Sequence, residues 1–151
     1  MASTPQVFIA GGTGFLGRAL QRAFAEQGAE VFVSTRGTSA PRSGNSAARV
    51  HWNPMQEPAP RIVASCRTVF NLIGENIGAS RWSEAKKRAL RESRLRSTEG
   101  LVAALGPENE TFLCASAISA YPGDGSLCLE EVCAAPAPGR SAGANSPASA
   151  R

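Results

Sequence analysis

A seven-residue stretch near the start, Gly11-Gly12-Thr13-Gly14-Phe15-Leu16-Gly17, constrains the fold of this chain more than any other feature. It follows directly on a short apolar run, Val7 to Ala10, which reads as a strand buried on both faces in a parallel sheet. From Phe15 to Gln27 the spacing is helical: Leu16, Leu20, Ala23 and Phe24 share one face, with Arg18, Arg22 and Glu26 off it. Gly28 stands where a left-handed cap would end the helix. Glu30 to Ser34 is a second strand. Strand, helix and strand in so short a span make a βαβ unit, with a right-handed crossover.

Each glycine in the loop has a physical task. Gly11 permits the tight turn out of the strand, Gly14 removes a Cβ from the path of a pyrophosphate, and Gly17 lets the helix pack closely on the sheet. The amides of Phe15 and Leu16, without partners at the helix start, point at the phosphates, and the helix dipole favours the anion. A glycine pattern alone is weak evidence. Between a strand and an amphipathic helix, with a second strand at the right distance, it predicts a dinucleotide site of the Rossmann type.

Further along, Arg49 to Trp52 reads as a brief third strand ended by Asn53-Pro54, after a Gly/Ser/Ala/Pro/Arg-rich loop over 37–49. Pro58 and Pro60 keep the next stretch from being regular. Thr68 to Ile73 is a fourth strand closing on Gly74, and Thr111 to Ala115 is a fifth. Between them a long helix is expected from Ser80 to about Leu105, stopped by Gly106-Pro107. Its inner stripe is assigned to Trp82, Ala85, Ala89, Leu95, Thr98, Val102 and Leu105, with the Lys and Arg side chains in water. The fold class expected is α/β, a Rossmann-like doubly wound parallel sheet of about five strands. Residues 5–131 are expected to form the NAD(P)-binding domain, and 132–151 a low-complexity tail. The last 18 residues hold only Ala, Pro, Gly, Ser, Arg and Asn, so the tail is expected to be disordered.

The chain has 151 residues, 42% of them hydrophobic and 19% charged, which suits one globular domain. No run of about 18 apolar residues occurs, so no membrane span is expected. Met1 to Gln6 has no secretory character, and a cytoplasmic location is the default, with an organellar one left open. Seven of the Lys and Arg residues fall within Arg81 to Arg96. That face can touch phosphate backbones, but no aromatic residues interleave for base stacking, so a solvated helix face is expected rather than a nucleic-acid site. Cys66, Cys114, Cys128 and Cys133 match no common zinc spacing and His51 is the one histidine, so no metal site is assigned.

Cofactor choice is read at the end of the second strand. NAD-binding folds usually carry an acid there for the ribose 2′-hydroxyl. This chain has Ser34-Thr35-Arg36. Thr35 replaces a carboxylate that would repel a 2′-phosphate, and Arg36 can pair with that phosphate through a forked contact, which favours NADP over NAD.

Several segments then fit one family: the glycine loop, Ser34-Thr35-Arg36, His51-Trp52-Asn53-Pro54, and Asn71-Leu72-Ile73-Gly74-Glu75-Asn76-Ile77. Arg81-Trp82, Arg91-x-Ser93-Arg94-x-x-Ser97-Thr98 and Ala115-Ser116-Ala117-Ile118-x-x-Tyr121 fit it too. Together they resemble the atypical extended short-chain dehydrogenase/reductases, in the NAD-dependent epimerase/dehydratase branch sometimes mislabelled a cell-division inhibitor. The resemblance spans residues 7 to about 131. It implies that Asn71, Leu72 and Gly74 end the fourth strand beside the adenosine ribose. It also implies that Ser116 and Tyr121 lie toward the nicotinamide, as the catalytic candidates. Ser116 either hydrogen-bonds a substrate oxygen or merely ends the strand.

Tyr121 is followed four places on by Gly125, so the Tyr-x-x-x-Lys pair of typical members is absent, and Pro122 replaces the usual glycine. The chain resembles only the first half of full members, which suggests a truncated or alternatively processed product or a faulty gene model. A sheet ending at strand five would expose apolar surface, predicting poor stability or a homodimer. Two functions follow: an NADP-binding oxidoreductase or sugar-nucleotide epimerase whose substrate-binding half is missing, or a non-catalytic NADP sensor or interaction module.

Overall fold

The computed structural model describes residues 4–37, 47–78, 81 and 83–116. The chain divides after Ala115, and the unit up to that residue holds every element below. In chain order these are β1 (Gln6–Ala10), α1 (Phe15–Glu26), β2 (Glu30–Thr35), β3 (Ala48–His51), a 3-10 helix (Arg61–Ser65), β4 (Thr68–Asn71), α2 (Glu84–Ala104) and β5 (Thr111–Cys114). All five strands run parallel in the order β3-β2-β1-β4-β5. The chain therefore reverses direction across the sheet at β1, with β2 on one side and β4 on the other.

Alternation along β1 divides the core into two layers. Val7 and Ile9 join Val31 and Val33 on the face covered by Leu20 and Phe24 of α1. Phe24 meets Phe70 at a centroid distance of 5.6 Å and a tilt of 56°. Phe8 and Ala10 point the other way, into a cluster with Trp52, Val63, Cys66, Val69 and Leu101 under α2 and the 3-10 helix. Burying a side chain such as Phe8 or Ile9 stabilises by roughly 1.5–3 kcal/mol, so the central strand anchors both layers. The fold is the doubly wound sheet that the alternating pattern predicts.

Several details differ from the sequence reading. In α1 the buried stripe is Gly17, Leu20 and Phe24; Leu16 is exposed, as is Ala23. Strand β4 stops at Asn71 rather than Ile73, opposite the end of β1 at Ala10, where the chain enters the Gly11 turn. The proline-flanked stretch is regular after all: Pro60 precedes the 3-10 helix, whose Val63 is fully buried.

Helix α2 begins after Ser83, whose hydroxyl accepts the Lys86 amide at 3.2 Å. Ser80 and Trp82 lie outside the described residues. The expected inner stripe is mis-phased. Lys86, Ser97 and Leu101 are buried, whereas Ala85, Ala89, Leu95 and Val102 are exposed and only Thr98 and Leu105 are partly covered. With few large apolar side chains on the helix, polar contacts fix its rotation, and they turn a lysine inward. Among the described residues no helix is long and apolar enough to cross a membrane.

Candidate nucleotide-binding cleft

The glycine loop is a tight turn between β1 and α1, closed by the Gly14 amide donating to the Gly11 carbonyl at 3.1 Å. Gly11 has φ +78°, and a Cβ there would sit 2.8 Å from the Leu72 carbonyl carbon. No L side chain tolerates both. The buried Ser34 hydroxyl, at the end of β2, accepts the Gly11 amide at 3.1 Å and fixes the turn from the other side. Gly17 does not pack on the sheet as expected. It lies directly against the backbone of Gly12, and Gly12 in turn lies against Val33 of β2. Gln21 secures the arrangement by donating to the Gly12 carbonyl at 2.6 Å.

Gly14 is the N-cap of α1, and no side chain caps the helix. The amides at the first turn, those of Phe15 and Leu16 among them, are therefore not taken by a capping oxygen. A Cβ on Gly14 would meet only the Gly11 carbonyl oxygen, at 3.4 Å, so that side of the turn is open to an approaching group. The Phe15 and Leu16 side chains point away and are 89% and 60% exposed.

A cleft of about 250 Å³ opens at this turn, on the edge where the parallel strands end. Its floor is Gly11, Thr13 and Gly14; Ser34, Thr35 and Arg36 form one wall, and Leu72, Ile73, Gly74 and Glu75 the other. Trp52 to Met55 and Ser93 complete it. Thus Gly11, Thr13, Gly14, Thr35, Arg36, Leu72 and Gly74, read as separate candidates from the sequence, line one cleft. Phe15, Leu16 and Gly17 are not part of its lining; they belong to α1, which the turn leads into.

Asn71 is placed differently. It is buried, and its amide nitrogen donates to Ser97 at 3.2 Å and Thr98 at 2.9 Å, while its oxygen accepts the Ile73 amide at 3.2 Å. It joins β4 to α2 and shapes the turn that carries Leu72 to Gly74 into the cleft; it does not line the cleft itself. Ser116 is exposed, two residues beyond the end of β5. Tyr121 and the segment 117–151 lie outside the described residues.

Sequence reasoning missed three contributors. The first is the wall from Trp52 to Met55: Trp52 is 1% exposed, with its indole donating to the Glu57 carbonyl at 3.2 Å. The Asn53-Pro54 turn signal was legible, but not that it faces the glycine loop across the sheet. The second is the Ser34 hydroxyl. The third is Glu75, whose amide donates to Ser93 at 3.1 Å and whose carboxylate takes the Lys86 ammonium at 2.7 Å. That hydrogen bond and charge, with a smaller contribution from Arg36, hold the Glu75 carboxyl below the usual glutamate range.

The cleft therefore has the uncapped start of α1 at its floor, a guanidinium on one side, and apolar side chains of Trp52, Pro54, Met55, Leu72 and Ile73 in its walls. Such a site fits an elongated anionic nucleotide. The comparisons with known proteins agree. Residues 7–142 match the model of the NAD dependent epimerase/dehydratase family. An epimerase family protein of Mycobacterium leprae is 38% identical over 117 residues, covering 76% of this chain and 36% of the relative. The human epimerase family protein SDR39U1 is 35% identical over 102 residues, 66% of this chain and 31% of its own.

The crystal structure of human SDR39U1 (isoform 2) with NADPH superposes with a TM-score of 0.62 at 28% identity, over 78% of this chain and 38% of that one. UDP-N-acetylglucosamine 4-epimerase from Bacillus cereus shares the fold, with a TM-score of 0.57 at 22% identity, over 85% of this chain and 40% of that one. The chain thus spans about a third of the length of the curated relatives it matches. With its strand order, its glycine turn and this family match in agreement, the chain belongs to the NAD-dependent epimerase/dehydratase family.

Proposed function

We propose that this chain binds NADP and serves as the nucleotide-binding portion of an epimerase-family oxidoreductase. The observation that carries the reading is the shared cleft: an uncapped helix start at Gly14 and the guanidinium-bearing strand end at Thr35-Arg36 face one space. The turn amides bind the pyrophosphate. Leu72 to Gly74 and the Trp52–Met55 wall take the adenosine, and Arg36 takes the 2′-phosphate, where no carboxylate competes at the strand end. Asn71 is a positioning residue, holding the β4 turn against α2. The NADPH bound to human SDR39U1 supports the same cofactor here. When bound, the nicotinamide supplies hydride transfer. We further propose Ser116 and Tyr121 as the catalytic candidates of the family reaction, and that the chain self-associates through the exposed Leu95, Val102 and Leu113.

Fluorescence titration of the full chain with NADPH and NADH tests the cofactor reading. Arg36→Ala is expected to weaken NADPH by about tenfold or more, the size of one charge-assisted contact, and to leave NADH nearly unchanged. Equal losses for both cofactors would remove Arg36 as the reader of the phosphate. No binding of either to the wild-type chain would remove the function.

A further inference from the structure

The lysine turned inward on α2 has no counterpart in the cofactor reading, yet its ammonium holds a residue of the cofactor cleft. Lys86 is 8% exposed, an unusual place for an ammonium. Its Nζ lies 2.7 Å from Glu75 Oε1, and Glu75 lines the same cleft as Arg36, on the opposite wall. Arg36 is exposed and forms no ion pair among the described residues. Near enough for its charge to be felt at Glu75, it is the natural alternative partner for that carboxylate. The other guanidinium at this end, Arg94, lies over Gly74 but is turned onto its own helix, donating to the Leu90 carbonyl at 2.9 Å.

We propose that Lys86 determines cofactor specificity at one remove: by holding Glu75 on its own wall, it keeps the carboxylate off Arg36 and leaves that guanidinium for a 2′-phosphate. The inference rests on the reading of Arg36 given above. Physically, two anions compete for one fork of donors. A carboxylate tethered across the cleft has a high local concentration and would occupy the guanidinium before a dissolved nucleotide arrived. A short, part-buried bond to Lys86 removes that competitor without removing its charge from the fold. The pair acts on the phosphate-bearing cofactor alone, since NADH does not need Arg36.

Titrating the full chain with NADPH and NADH, in Lys86→Met and in Lys86→Met combined with Arg36→Ala, separates the possibilities. The expected result for Lys86→Met is a fall of about tenfold in the NADPH-to-NADH affinity ratio, restored by adding Glu75→Gln. In the Arg36→Ala background the same lysine change is expected to alter the ratio no further. A fall of equal size in both backgrounds would mean that Lys86 acts as a general positive charge, which overturns the inference and spares the role of Arg36. Failure of Glu75→Gln to restore the ratio also overturns it. If Arg36→Ala alone leaves the ratio unchanged, the cofactor reading itself has failed. Lys86→Gln, which keeps a polar head in the buried site, carries the same comparison if the methionine variant does not fold.

Discussion

Two small residues, Gly17 and Cys66, each carry a testable consequence. Gly17 rests on the Gly12 backbone with no room for a methyl group. Gly17→Ala must therefore push α1 off the turn, and we expect a loss of about 1–3 kcal/mol in urea unfolding together with weaker cofactor binding. An unchanged unfolding midpoint would refute the contact. Cys66 belongs to the other layer, fully buried under the 3-10 helix. Burial, with a smaller push from Glu30, raises its thiol to about 11. The unfolded chain loses that proton first, near the ordinary thiol value, and the folded one only near 11. Its share of stability is thus complete at neutral pH and declines as the solution is taken from about 9 to 11. Cys66→Ala is expected to flatten that alkaline decline, and peptide mapping after alkylation at mild pH is expected to label Cys114, which is exposed, and not Cys66.

At the level of elements, legibility followed the strength of the periodic signal. Strands β1 and β2 and helix α1 could be placed to within a residue, because apolar runs broken by glycines leave few alternatives. Helix α2 could be found but not oriented. Its rotation is set by Asn71 bonding Ser97 and Thr98 and by Lys86 reaching Glu75, and a hydrophobic stripe says nothing about such pairs. Likewise the glycine loop announced the cleft, whereas the Trp52–Met55 wall depends on which strands become neighbours, a property of topology rather than of local sequence. Helix α2 starts after Ser83, whose hydroxyl makes the capping bond, and not at the expected Ser80. Ser83→Ala is expected to cost about 1 kcal/mol in thermal or urea unfolding, and a neutral effect would show that the helix end is held from elsewhere.

For the molecule as a whole, the described sheet ends on β5, whose Leu113 is 45% exposed, and α2 shows Leu95 and Val102 to solvent. Exposed aliphatic side chains of this kind favour association. Sedimentation velocity across a concentration series is expected to reveal self-association that Leu113→Lys weakens; a monomer at every concentration would remove that expectation. A different kind of robustness comes from the Gly12–Gly17 contact. Main chain meets main chain there, so the direction in which the first helix aims its dipole is set by parts that ordinary substitution cannot resize. Exchanges among the leucines and phenylalanines beneath it leave that main-chain contact in place, whereas a single methyl group on Gly17 would break it.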